Sequence, residues 1–85
     1  MQMKILSCSI RNREFRTGVA DVLRSGHGRG NYCEFGFGLG WYVAELHAIR
    51  DGAEIWRLYR INAPGEPRSR RGEIVVEFPE GGEHE

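Results

Sequence analysis

The chain has 85 residues, 40% hydrophobic and 28% charged, with 12 Lys+Arg set against 12 Asp+Glu for a formal net charge of zero. A chain this short buries only about 60 to 65% of the surface its unfolded form exposes, so a second core and a multidomain enzyme are excluded. No stretch approaches the roughly 18 to 20 consecutive apolar residues of a membrane span, and residues 1–10 lack the apolar region of a signal peptide. The expectation is a single soluble, cytoplasmic domain over 1–79 and a disordered acidic tail over 80–85.

Neutrality is an average over uneven segments. Residues 1–33 hold six bases against two acids (+4), residues 34–71 six against five (+1), and residues 72–85 five acids and no base (−5). Eleven of the 12 bases are arginine. Its planar fork suits phosphate, carboxylate and aromatic partners, although a GC-rich genome produces the same bias.

In chain order, residues 3–10 predict a strand with Leu6, Cys8 and Ile10 on one face and Ser7 and Ser9 on the other. Asn12 is placed to cap a helix over 13–25, in which Phe15, Val19, Val22 and Leu23 form one apolar face and Ser25-Gly26 the stop. The outer face carries Arg13, Arg16, Thr17, Asp21 and Arg24. Three glycines within residues 26–30 predict a loop. Residues 32–40 alternate as a strand, with Phe35, Phe37 and Leu39 on one face. The other face then bears Gly36, Gly38 and Gly40, a bare strip of backbone that a helix or a ligand approaches, or a set of bulges.

Two β-rich runs, 41–49 and 53–61, flank Asp51-Gly52, the sequence mark of a two-residue hairpin. Facing residues then have numbers that sum to 103 throughout. That register places Ala48/Ile55, Leu46/Arg57, Ala44/Tyr59 and Tyr42/Ile61 on the core face. It places Ile49/Glu54, His47/Trp56, Glu45/Leu58 and Val43/Arg60, with Trp41, on the other. Residues 62–72 read as a loop rich in Pro, Gly and Arg, and residues 73–79 as a last strand with Ile74, Val76 and Phe78 inward. The order β-α-β-β-β-β is that of an α+β fold, one amphipathic helix packed on a mainly antiparallel sheet of about five strands.

One helix covers one sheet face. The other, carrying Trp41, Val43, His47, Trp56, Leu58 and Arg60, is therefore expected to be a partner-binding surface for another protein or a second copy of the chain.

Signals for catalysis, cofactors or metals are weak. Cys8 and Cys33 do not combine with His27 and His47 at any metal-ligand spacing. Ser25/His27 has no acid fixed beside it, Cys33/His47 on adjacent strands has no supporting local signature, and Glu45, His47 and Glu54 read more simply as surface charge pairing on a sheet. Gly26, Gly28 and Gly30 lack the last position of a dinucleotide fingerprint, and the single lysine, Lys4, is far from any glycine loop. No catalytic residue, cofactor or metal ligand is expected.

Two functional classes remain. One is a small non-catalytic protein-interaction module, of the kind phages and mobile elements encode, an anti-CRISPR-like inhibitor that sterically occludes a nucleic-acid-processing complex. The other is an RNA- or single-stranded-DNA-binding domain that stacks bases on sheet aromatics and grips phosphates with a basic patch of Arg11, Arg13, Arg16, Arg29, Arg68, Arg70 and Arg71. The Phe35-Gly36-Phe37-Gly38-Leu39 stretch has the glycine alternation of an RNA-recognition strand without its basic lead.

Overall fold

The computed structural model describes residues 3–26, 30–62 and 66–78. His27, Arg29 and the acidic tail lie outside them. The elements are β1 (Lys4–Cys8), α1 (Arg13–Gly26), β2 (Tyr32–Phe37), β3 (Gly40–Arg50), β4 (Ala53–Arg60) and β5 (Ser69–Glu77). All pairings in the single sheet are antiparallel, in the order β1-β5-β4-β3-β2, which is the expected α+β architecture. No helix among the described residues is long and apolar enough to cross a membrane.

Asn12 caps α1 as its residue type requires. Its Oδ1 accepts the Phe15 N–H at 2.8 Å and its carbonyl accepts the Arg16 N–H at 3.0 Å. Phe15, Val19, Ala20 and Leu23 form the buried stripe, and Arg24 pairs with Asp21 at 2.8 Å on the outside. This stripe packs on Phe35 of β2, Ala44 of β3, Trp56 and Leu58 of β4, and Ile74 and Val76 of β5. The Phe15 ring stands 5.0 Å from that of Phe37 and 4.8 Å from that of Tyr42, centroid to centroid.

Three local expectations are corrected. Residues 32–40 are not one strand: the chain reverses at Gly38-Leu39, with Phe37 opposite Gly40. Gly38 has φ +59°, the left-handed value that glycine supplies at the first position of a primed hairpin turn. Leu39 is therefore fully exposed at the tip, not aligned with Phe35 and Phe37. In β1, a register shift between Ile5 and Ser7 leaves Leu6 exposed, while Cys8 and Ile10 still face the core. The last strand starts at Ser69, so Arg70 and Arg71 belong to β5 and not to a loop.

The larger correction concerns register. Asp51 and Gly52 both take positive φ, 52° and 82°, as a type I′ turn needs, and next to the turn the expected pairs Ala48/Ile55 and Ile49/Glu54 are present. A bulge at His47 then inserts one residue into β3, and beyond it Leu46 pairs with Trp56, Ala44 with Leu58 and Tyr42 with Arg60. One extra residue in β3 reverses which side of β4 shares the face of Tyr42, Ala44 and Leu46, so Glu54, Trp56 and Leu58 take the helix side and Ile55, expected in the core, lies with Arg57 and Tyr59 on the other. Trp56, 7% exposed, and Leu58, 0%, thus lie under α1, while Arg57 and Tyr59 face away from it. The expected register would have set Arg57 in the core, where a guanidinium loses its hydration; the bulge avoids that cost.

Candidate functional site: the open sheet face

The face away from α1 is built by alternate residues of four strands. Glu34 and Gly36 come from β2, Trp41, Val43 and Glu45 from β3, Arg57 and Tyr59 from β4, and Glu73 and Val75 from β5. Val43 stands between Glu34 and Tyr59 in register and is 2% exposed, although no helix covers it among the described residues. Both neighbours are tied down. The Trp41 Nε1–H donates to Glu34 Oε1 at 3.0 Å, and the Arg68 guanidinium lies 4.9 Å above the Tyr59 ring.

Local chain geometry brings Arg68 there. Asn62 Nδ2 donates to the Pro67 carbonyl at 2.6 Å and to Ser69 Oγ at 3.0 Å, drawing residues 67–69 back toward the end of β4. Arg68 Nη1 then donates to Glu45 Oε2 at 2.7 Å, and this hydrogen bond raises the already high Arg68 pKa. On β5, Glu73 Oε2 accepts from Arg57 Nε and Arg70 Nη2, both at 3.3 Å. Three guanidinium groups on this face thus share two carboxylates, Glu73 bridging Arg57 and Arg70 and Glu45 holding Arg68.

The glycine strip faces aromatic rings. A Cβ at Gly36 would meet Trp41 Cζ3 at 3.1 Å, and one at Gly40 would meet the Tyr42 ring at 2.8 Å. The indole thus lies along the edge strand β2 with half its surface exposed, and Tyr32 on the same strand is also exposed.

Of the six expected partner-binding residues, Trp41 and Val43 share this face. His47 is at the bulge, exposed, and Arg60 falls in the register of the helix-covered side opposite Tyr42. Trp56 and Leu58 are core residues, and Trp56 Nε1 donates to Glu54 Oε1 at 2.9 Å. Sequence reasoning missed Tyr59, Arg57 and Glu34. The signal was the alternation of Arg57 and Tyr59 against Trp56 and Leu58 within β4.

The expected basic patch is divided. Arg68 and Arg70 are ion-paired on the open face, whereas Arg11, Arg13, Arg16 and Arg71 lie around the start of α1 and form no ion pair among the described residues. The candidate acid–base group is also separated: Glu45 holds Arg68 on the open face and Glu54 holds Trp56 on the other. Burial pushes the Cys33 thiol pKa up, which disfavours a nucleophilic thiolate. No group of three or more His, Cys, Asp or Glu is placed to hold a metal among the described residues. Comparison with family models, with curated proteins and with solved structures gives no match in any of the three.

Proposed function

We propose that the protein is a small interaction module that docks a protein partner on its open sheet face, and that its biological effect is steric occlusion of a nucleic-acid-processing complex, in the manner of anti-CRISPR-like inhibitors. The observation that carries this reading is the half-exposed Trp41, seated against Gly36 and anchored through Glu34 on a face that no helix covers among the described residues. A pre-positioned indole loses little conformational freedom on docking, and Trp, Tyr and Arg are the residue types that dominate binding hot spots. The paired charges around it favour a protein over a nucleic acid here, because Arg57, Arg68 and Arg70 already have carboxylate partners.

The test is inhibition of nucleic-acid binding by a panel of purified RNA-guided nuclease complexes, read by electrophoretic shift, with wild type and Trp41→Asp compared. Inhibition by wild type alone supports the proposal. Absence of inhibition across the panel, or equal inhibition by Trp41→Asp, argues against it. Sedimentation of the free protein separates the remaining occupant, a second copy of the chain: a dimer that Trp41→Asp dissociates assigns the face to self-association.

A further inference from the structure

On the helix-covered side of the sheet, away from Trp41, a groove of about 420 Å³ opens at the start of α1. Its floor is aromatic, formed by Phe15, Phe37 and Tyr42, and its rim carries Arg11, Asn12 and Arg71. None of the residues lining it is acidic. The two guanidinium groups make no ion pair or hydrogen bond among the described residues, and neither does the Tyr42 hydroxyl. Arg57, Arg68 and Arg70 on the open face, by contrast, are all ion-paired, to Glu45 and a shared Glu73. Asn12 already uses its Oδ1 on the Phe15 N–H, which leaves its amide NH₂ as a further donor at the rim.

We infer that this groove binds a nucleobase together with its phosphate. The volume lies within the range of roughly 300 to 1,000 Å³ common for small-ligand sites. Rings at the floor offer a planar base a stacking or edge contact, and two unpaired guanidinium forks at the rim match the charge and geometry of a phosphate. A free nucleotide and the end of a single strand share this chemistry. The inference is independent of the proposed docking face, since no residue is common to the two.

The experiment is calorimetric titration at low salt with nucleoside monophosphates, with a short mixed-sequence single-stranded DNA, with adenosine and with inorganic phosphate, accompanied by amide chemical-shift mapping. A monophosphate that shifts Phe15, Phe37 and Tyr42, and binds more tightly than either adenosine or phosphate alone, supports the site. Arg11→Ala and Arg71→Ala are each expected to weaken that binding about tenfold. Both side chains are exposed, so the far-ultraviolet spectrum should be unchanged. Tighter binding of the oligonucleotide assigns the groove to a strand, and equal binding to a free nucleotide. The inference is overturned if neither ligand binds at millimolar concentration, if inorganic phosphate binds as well as the nucleotide, or if both arginine variants bind like wild type.

Discussion

The indole of Trp41 occupies the space that a side chain at Gly36 would fill. A Cβ there would approach two of its ring carbons at 3.1 and 3.2 Å, and the ring is held by the Nε1–H bond to Glu34 Oε1 at 3.0 Å. The glycine strip is thus a seat for an aromatic ring from the neighbouring strand, a known way of covering glycines at sheet edges. Gly36→Val should displace the ring and break its bond to Glu34, because the ring is the neighbour that must give way. Acrylamide quenching of the exposed component of tryptophan emission is expected to rise, with the sheet retained. Unchanged quenching would show that the ring does not rest on residue 36.

The bulge at His47 makes the two tryptophans energetically unlike. Trp56, 7% exposed within the core, should cost about 3 to 5 kcal/mol on replacement by Ala. Trp41, 50% exposed, should cost about 1 kcal/mol. Urea unfolding of the two variants measures the difference directly. Without the bulge Trp56 would lie on the uncovered face beside Trp41, and the two costs would be similar.

Gly72 and Gly18 should respond to alanine with opposite signs. Gly72 has φ +155°, and a Cβ there would stand 3.0 Å from Ile10 Cγ1 and 3.2 Å from Ser9 Oγ, the group that accepts the Glu73 N–H. Gly72→Ala is expected to destabilise by about 1 to 3 kcal/mol. Gly18, inside α1, would meet only Phe37 Cδ1 at 3.7 Å, an ordinary contact. Gly18→Ala should therefore stabilise by about 0.5 to 1 kcal/mol through helix propensity. Thermal melts of both variants check the two signs.

Burial favours the neutral form of the Cys33 thiol and raises its pKa above that of a free cysteine. The folded state thus binds this proton more tightly than the unfolded chain. The associated stability is fully present below the unfolded pKa and is lost as pH rises through the folded value. In a Cys8→Ser background, which leaves Cys33 as the single thiol, alkylation by iodoacetamide should show a higher pH midpoint in the folded protein than in urea. A folded midpoint at or below the one in urea would contradict the assignment.

How far the sequence reached differs from element to element. The cap at Asn12, the apolar stripe of α1 and the Asp51-Gly52 turn were legible because each depends on residues within a few positions of one another. The Gly38-Leu39 reversal was not, since glycine alternation within an aromatic run reads equally well as a continuous strand. The candidate site suffered most from the bulge. Trp41 and Val43 were placed correctly on the open face, but the register projected from the turn put Trp56 and Leu58 beside them.

What the sequence by itself determined is the set of elements, their order and the helix face that seeks a core, because these follow from local periodicity and turn chemistry. The tertiary structure alone decided which face of β4 is buried and which arginines are paired. An extra residue at position 47 leaves no local mark: it is the joint burial of Trp56 and Leu58 with Ile74 and Val76, and the hydration of Arg57, that selects the bulged pairing. Charge follows the same logic. The net charge of zero in the sequence resolves in the fold into an open face, where Glu45 and Glu73 hold Arg57, Arg68 and Arg70, and a groove rim where Arg11 and Arg71 have no counter-charge among the described residues; the sheet brings Glu73 to Arg57 and Glu45 to Arg68 from distant parts of the chain.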